Sequence, residues 1–248
     1  MPTAEFIVRY RDPATHLPLP SYDLWEERRG VHTFTTAAVV AGLRAAANIS
    51  AALGNGRAEM YRDAADDTAG AMLDHLYDAE RGVFLRRLAP EADGTMKPDR
   101  TIDSAVLHAM LLGAVPADHP AALSTAEVVE QALWVRSQIG GMARYEGDYY
   151  FRVSEDFPGN PWIICTMWLA QYKIMLAKSG PELARPLELI EWATHRASAT
   201  GIFSEQVHPT TGEPLSVSPL TWSHAEYVKS VLDYVDKVAA LGGNPVTA

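Results

Sequence analysis

The sequence is poor in cysteine and in metal-binding patterns. Cys165 is the single cysteine in 248 residues, so no disulfide can form within one chain and nothing demands an oxidising compartment. It lies in an apolar helical pattern, where we expect a small buried side chain. We find no His-Glu-x-x-His pattern, no cysteine pair, no calcium loop and no glycine-rich phosphate loop. The sequence therefore predicts no metal and no cofactor.

Basic residues are also scarce. Lys and Arg number 21 against 31 Asp and Glu, for a net charge of −10, and the basic residues are scattered. This argues against nucleic acid or an anionic membrane as a partner. No apolar run approaches the roughly 18 residues of a membrane span, and the first five residues lack the pattern of a signal peptide. A cytoplasmic location is therefore predicted.

The hydrophobic pattern predicts an all-α protein with one core, so we expect a single domain over residues 1–248. Residues 6–12 have strand or loop character, and residues 82–88 read as a strand within a small β-hairpin. The connections between helices alternate between tight turns and long loops rich in polar and aromatic residues, at residues 142–161 and 201–219. This alternation is typical of a ring of helical hairpins. The predicted helices are residues 37–53, 57–77, 102–113, 124–139, 161–177, 181–199 and 220–241.

The stretch from Leu19 to Gly30 is unusually dense in charge and aromatic rings. It contains three carboxylates, two guanidiniums and two aromatic side chains. Aromatic faces stack on pyranose rings, and carboxylates and guanidiniums bind vicinal hydroxyls, so this density favours a sugar site. For Asp23, Arg28 and Arg29 two interpretations stay open: contact with the sugar, or ion pairs that only hold the loop.

A second aromatic-rich loop carries Glu205. Two carboxylates that flank a glycosidic bond can divide the chemistry, one donating a proton to the leaving oxygen and the other activating water. An apolar neighbour such as Trp25 favours the protonated acid at Glu26, and hydrogen-bond donors keep the other carboxylate ionised. Ser216 and the Gln206 amide are candidate donors to Glu205. The candidate catalytic pair is therefore Glu26 and Glu205.

Five segments together carry a family resemblance. They are Ser21–Glu27, Ala143–Tyr150, Gly159–Thr166, Glu205–Val207 and Pro214–Ser223. In this order they resemble the glucoamylase family, glycoside hydrolase family 15. The resemblance implies an (α/α)6 toroid of helical hairpins and an inverting enzyme that releases glucose from the non-reducing ends of α-glucans.

Carried over position by position, the resemblance also implies residue roles. Glu26 would be the general acid and Glu205 the general base. The other implied site residues bind the sugar, with Ser216 also bonded to the base; they are Leu24, Trp25, Glu27, Arg144, Tyr145, Ser216 and Trp222.

The first family motif falls about midway along the family's catalytic domain. The resemblance therefore implies that this chain is the C-terminal portion of the toroid, an incomplete ring of about seven helices. The expected partner is an oligosaccharide or α-glucan, and either a homo-oligomer or a missing N-terminal half is left open. Two alternatives remain: a trehalase- or glucodextranase-type member of the family, or a non-catalytic truncated fragment that only binds carbohydrate.

Overall fold

The computed structural model describes residues 2–243. Within these residues lie eight α-helices and ten strands of two to four residues, which confirms the predicted all-α class. The chain divides into two compact units. One comprises the residues through 101 together with 105–125, and the other comprises 102–104 and the residues from 126 onward. The single domain over residues 1–248 stays a prediction.

The first unit is built on one helical hairpin. Its two long helices pack along their length and bury Val40, Leu43, Tyr61 and Met72 completely. Burying side chains of this size contributes about 1.5–3 kcal/mol each. This hairpin confirms the predicted pair of helices. The elements in chain order are α1 (Pro2–Arg9), β1 (Ser21–Tyr22), β2 (Arg29–His32), α2 (Thr33–Ala52), α3 (Ala58–Leu76), β3 (Tyr77–Asp78), β4 (Val83–Phe84), β5 (Arg87–Pro90), β6 (Met96–Asp99) and α4 (His108–Leu111).

A small antiparallel sheet lies beside this hairpin, in the order β1-β2-β5-β6. The β5–β6 hairpin pairs Arg87 with Asp99 and Pro90 with Met96, so the predicted small β-hairpin is present. The single strand predicted over residues 82–88 is wrong, because it divides in two. Residues 83–84 pair with β3, Leu85 bonds back to the Leu76 carbonyl at 2.7 Å, and the sheet strand starts only at Arg87.

The second unit surrounds one buried helix. The helix α5 (Pro120–Leu133) crosses the boundary between the units. Of the 14 residues of α6, 11 are buried, and α6 packs against α7 and α8. This agrees with the apolar pattern found on all its faces. The remaining elements are β7 (Met142–Ala143), β8 (Pro161–Trp162), α6 (Ile163–Leu176), α7 (Ala184–Thr194), β9 (Gln206–Val207), β10 (Pro214–Leu215) and α8 (Thr221–Ala240).

Several element predictions are wrong at their boundaries. Residues 6–9, predicted as strand or loop with residues 10–12, belong instead to helix α1, with the Phe6 and Tyr10 rings stacked one turn apart. The helix predicted over residues 102–113 is short, because Ser104 first donates its N–H to the Arg144 carbonyl at 2.9 Å. Pro161 belongs to β8 and not to the first turn of α6. Strands also occupy parts of both long loops.

Candidate active site

Glu26 lies in a rigid turn between β1 and β2. These strands pair Ser21 with Gly30 and Tyr22 with Arg29. Within the turn, the Glu26 N–H donates to the Asp23 carbonyl at 3.1 Å. Glu26 is exposed and has a φ of +58°, a left-handed conformation that is costly for a residue with a Cβ atom. Strain of this kind concentrates at functional sites, so the turn directs Glu26 outward at an energetic cost.

Asp23 caps this turn. Its Oδ1 accepts the N–H groups of Glu27 at 2.7 Å and Arg28 at 3.2 Å, and the residue is buried. Burial lowers the pKa of the nearby His32 although the Asp23 charge acts to raise it. Asp23 therefore holds the loop through hydrogen bonds to its backbone, and its contact with the sugar stays a prediction.

The predicted residues beside Glu26 are less exposed. Leu24 and Trp25 are half-buried, and the Glu27 carboxylate forms an ion pair with Arg28. The side chain of Arg28 thus contacts a predicted site residue. The carbonyl of Arg29 accepts a hydrogen bond from Arg87 at 2.8 Å, which ties the end of the turn to the β5 strand.

A second sheet, in the order β10-β9-β8-β7, carries the Glu205 segment. The Glu205 N–H donates to the Val217 carbonyl at 2.9 Å, and its carbonyl accepts from Ile163 N–H at 3.3 Å. The hydroxyl of Ser216 donates to Oε2 of the half-buried Glu205 carboxylate. Ser216 has a φ of +61°. The left-handed backbone of Ser216 therefore places its hydroxyl next to the predicted base.

Gln206 does not donate to Glu205, which corrects one expectation from the sequence. Its Oε1 accepts from the Asn160 amide at 2.8 Å, because the side chain turns into the sheet and is fully buried. Its Nε2 has no hydrogen-bond partner among residues 2–243. Asn160 also donates to the Phe151 carbonyl at 2.8 Å, so this amide pair ties the loop at residues 151–160 to the Glu205 segment.

Arg144 is held in place rather than mobile. Its Nε and one terminal amino group bind the two carboxylate oxygens of Asp148 at 2.9 and 2.7 Å. The exposed fractions are 4% for Arg144 and 1% for Asp148. The guanidinium carbon lies 4.6 Å from the Tyr145 ring centroid and 4.9 Å from that of Trp162. The same terminal amino group also donates to the Tyr145 hydroxyl at 3.1 Å, so three of its N–H donors are committed to the protein. Trp162 is buried.

Trp222 lies in the first turn of α8, next to the Glu205 segment. Its indole N–H donates to Glu226 at 3.2 Å, and its ring lies 5.8 Å from that of Trp168. Ser223, the following residue, donates to the Ser204 carbonyl at 2.9 Å. The start of α8 is therefore hydrogen-bonded to the segment that carries the predicted base.

The predicted site residues fall into two sets. Leu24, Trp25, Glu26 and Glu27 lie together on the turn of the first unit. In the second unit, the β7–β10 sheet brings the segments of Arg144, Tyr145, Glu205, Ser216 and Trp222 together. Sequence reasoning missed Asp148 and Asn160 as partners in this site. The signal was available for Asp148, since an acidic residue four positions after an arginine in an aromatic loop is a natural ion-pair partner.

Comparison with known proteins gives the family. The model of glycosyl hydrolases family 15 matches residues 14–191 and 188–232. The chain therefore belongs to glycoside hydrolase family 15.

Individual relatives agree with this assignment. The chain is 32% identical to an uncharacterized glycosyl hydrolase of Methanocaldococcus jannaschii over 88% of its length and 35% of the relative. It is 30% identical to a glucoamylase of a Clostridium species, over 92% of this chain and 34% of that one. A trehalase of Mycobacterium tuberculosis is 25% identical over 89% of this chain and 30% of the trehalase.

A solved structure confirms the fold class. A bacterial glucoamylase complexed with acarbose matches with a TM-score of 0.77 and 28% identity, over 95% of this chain and 37% of that one. The predicted fold class, an all-α fold like the (α/α)6 toroid with a small β-hairpin, is thereby confirmed. The chain spans about a third of the length of the curated relatives it matches. None of the helices in residues 2–243 meets the length and hydropathy needed to cross a bilayer.

Proposed function

We propose that this chain carries both catalytic carboxylates of an inverting, exo-acting α-glucoside hydrolase. The enzyme would release glucose from the non-reducing ends of α-glucans or maltooligosaccharides. The observation that carries the proposal is that a residue with a left-handed backbone positions each of the two glutamates. Glu26 stands exposed on a strained turn, and the Glu205 carboxylate accepts a hydrogen bond from a serine whose backbone is equally strained.

The reaction needs one proton donor and one proton acceptor. Glu26 donates its proton to the glycosidic oxygen as the bond from that oxygen to the anomeric carbon breaks. Glu205 accepts a proton from a water molecule, whose oxygen attacks the anomeric carbon from the opposite face of the ring. The products are β-glucose and a shortened glucan. This geometry requires carboxyl groups roughly 6.5–9.5 Å apart, which leaves room for the water.

The remaining predicted residues position the sugar in this proposal. Arg144 is pre-oriented by Asp148, so little side-chain entropy is lost when its guanidinium binds a sugar hydroxyl. Trp222 supplies aromatic surface, and Tyr145 is buried against the Arg144 guanidinium and supports it. Leu24, Trp25 and Glu27 bind sugar next to the acid. Ser216 holds the base in position through its hydrogen bond to the carboxylate.

The second candidate is a different substrate for the same chemistry. The match to a trehalase supports a trehalase-type member, and a glucodextranase-type member stays open as well. A panel of α-1,4-, α-1,6- and α,α-1,1-linked glucosides separates the three. We expect the fastest glucose release from the α-1,4 series. Turnover confined to the α,α-1,1 disaccharide would replace the glucoamylase assignment with the trehalase one.

The third candidate is a non-catalytic fragment that binds carbohydrate. The coverage of about a third of each relative supports it. Glucose release and maltooligosaccharide binding should therefore be measured on the same purified chain, by enzymatic glucose assay and by calorimetry. Turnover supports the enzyme, whereas binding without turnover supports the fragment.

A further inference from the structure

One glutamine on the buried helix α6 directs its amide at α8. Gln171 is 3% exposed, on a helix of which 11 of the 14 residues are buried. A buried amide without hydrogen-bond partners is costly, and an apolar side chain of similar size would pack there without that cost. The Gln171 Nε2 donates to the Glu226 carboxylate at 2.7 Å and to the Ser230 hydroxyl oxygen at 3.1 Å. Both N–H groups of this amide are therefore used to bind α8.

The orientation of the Gln171 amide is set by Ser230. The Ser230 hydroxyl donates its proton to the Glu226 carbonyl at 2.8 Å, so its oxygen can only accept from Gln171. The nitrogen end of the amide must therefore face Ser230 and the Glu226 carboxylate. The carboxylate thus receives a donor from a different helix, and this donor is itself held in place by burial.

The second oxygen of the Glu226 carboxylate binds Trp222. Its Oε1 accepts the indole N–H at 3.2 Å, while Oε2 accepts from Gln171. Trp222 and Glu226 lie four positions apart on α8, so their side chains share one face of the helix. Because a buried amide holds the carboxylate on one side, the indole N–H bonded to its other side has a defined direction.

Two further contacts restrain the indole. Its ring lies 5.8 Å from that of Trp168 and is tilted by 56°, and Trp168 is fully buried. Ser223, the next residue of α8, donates to the Ser204 carbonyl, and Ser204 directly precedes the candidate base Glu205. All of these residues belong to the second unit. The Trp222 ring is therefore restrained relative to the Glu205 segment through both its backbone and its N–H group.

We propose that Glu226, supported by Gln171, is a positioning residue that holds the Trp222 indole in the orientation in which it contacts the sugar. The inference rests on the proposed function, in which Trp222 supplies aromatic surface to the substrate. An aromatic ring stacks on a pyranose through its face, so the angle of the ring determines how much of it the sugar contacts. A hydrogen bond to the indole N–H lies at the ring edge, so it fixes this angle without occupying either face.

NMR of the full chain labelled with nitrogen-15 tests the hydrogen bond itself. The chain has 6 tryptophans, and the indole signal that disappears in Trp222→Phe identifies Trp222. In Glu226→Leu this indole proton should move upfield and exchange with solvent about tenfold faster or more, as expected for the loss of a hydrogen bond to a charged group. A Trp222 indole signal that Glu226→Leu leaves unchanged would overturn the proposal.

Steady-state kinetics on maltotriose tests the role of the hydrogen bond. A contact between ring and sugar that is equal in the ground state and the transition state affects KM alone. Glu226→Leu should therefore raise KM about three- to tenfold, the order of one oriented aromatic contact, with kcat within about twofold of the unchanged chain. Gln171→Met should raise KM in the same direction and add nothing to Glu226→Leu. Asp233→Leu is the matched control, because it removes a carboxylate that pairs with Lys229 four positions before it on α8, and it should leave KM unchanged.

A double-mutant cycle separates positioning from a merely structural role. Trp222→Phe removes the indole N–H, so adding Glu226→Leu to it should change KM no further. Additive effects of the two substitutions on KM would show that Glu226 does not act through Trp222, and would overturn the proposal. Circular dichroism verifies folding, and Glu226→Ala takes the place of Glu226→Leu if the leucine variant is unfolded.

Failure of this inference can be told from failure of the proposed function. If the unchanged chain releases glucose and Glu226→Leu leaves KM unaltered, the positioning role is wrong and the proposed function stands. If the unchanged chain binds maltotriose without turnover, the dissociation constant from calorimetry replaces KM in every comparison. If the unchanged chain neither hydrolyses nor binds maltotriose, the proposed function fails and the positioning role fails with it.

Discussion

Ser216 donates a hydrogen bond from its hydroxyl to the Glu205 carboxylate while its own backbone is left-handed, with a φ of +61°. The two residues flank the β9–β10 hairpin, one position outside the Gln206–Leu215 pair. The register of this hairpin therefore determines which hydroxyl reaches the candidate base.

Removing this hydroxyl should lower turnover. A hydrogen bond to a charged group contributes about 1.5–3 kcal/mol, so Ser216→Ala should reduce kcat about tenfold or more. Ser216→Gly should reduce kcat equally but raise the free energy of unfolding, because glycine adopts a positive φ without the cost of about 1 kcal/mol. Thr211→Ala, at an exposed hydroxyl in the same loop, is the matched control. A kcat for Ser216→Ala within twofold of the unchanged chain would remove Ser216 from the mechanism.

The buried pair of Arg144 and Asp148 should dominate the stability of its loop. Asp148→Asn leaves a buried guanidinium without its counter-charge, which should lower the free energy of unfolding by about 3–5 kcal/mol. Glu188→Gln breaks the exposed pair with Arg185 and should cost less than about 1 kcal/mol. Urea unfolding measures both variants. The double variant Arg144→Met with Asp148→Leu should recover most of the stability yet lose sugar binding, and equal costs for the two single variants would contradict the account.

Asp99 should give the protein an acid-sensitive component of stability. Burial acts to raise the pKa of this carboxyl, but hydrogen bonds and charge from Arg86 and Arg87 hold it at about 2. Because the folded pKa lies below the unfolded one, the stabilisation is complete above about pH 4 and is lost as pH falls through 2.

Asp99→Asn should therefore flatten the stability profile between about pH 4 and pH 2, where the unchanged chain loses about 1–2 kcal/mol through this group. Urea unfolding at a series of pH values measures the slope. Glu91→Gln, at an exposed carboxylate in the same hairpin, is the control. Identical slopes for the unchanged chain and Asp99→Asn would contradict the assigned ion pair.

Two glycine substitutions should act in opposite directions. A Cβ atom at Gly30 would lie 2.7 Å from the Leu88 carbonyl oxygen, so Gly30→Ala should destabilise the sheet beside the Glu26 turn by about 1–3 kcal/mol. A Cβ atom at Gly42, within α2, meets nothing within 4 Å, so Gly42→Ala should stabilise the protein by about 0.5–1 kcal/mol. Thermal unfolding of both variants checks the signs, and a stabilising Gly30→Ala would show that β2 and β5 are not packed as described.

Helices with a strong apolar period could be predicted from the sequence, and elements fixed by distant partners could not. The period places α2, α3, α6 and α8 within a few residues. The strand or loop predicted over residues 6–12 is wrong at residues 6–9, because a short segment rich in Phe, Ile and Val satisfies strand and helix patterns alike. The start of α6 was misread because Pro161 pairs with Ala143, a contact that no local pattern encodes.

The same distinction, between what a local pattern indicates and what distant partners determine, applies to the candidate site. Motifs indicated Glu26, Glu205 and Arg144, since these residue types carry recognisable chemistry. The turn of Gln206 away from Glu205 depends on the β7–β10 register and could not be read from the sequence, whereas the four-residue spacing of Arg144 and Asp148 was a signal that sequence reasoning missed. The left-handed backbones at Glu26 and Ser216 could not be foreseen either, because neither residue type favours that conformation.

The most direct test of the central claim is the anomer released first. Proton NMR of a maltooligosaccharide digest, recorded before mutarotation, should show β-glucose from the unchanged chain and none from Glu26→Gln or Glu205→Gln. Glu213→Gln, at an exposed carboxylate in the loop after Glu205, should release β-glucose at the unchanged rate. Initial α-glucose, or undiminished release by either Glu26→Gln or Glu205→Gln, would contradict the inverting pair.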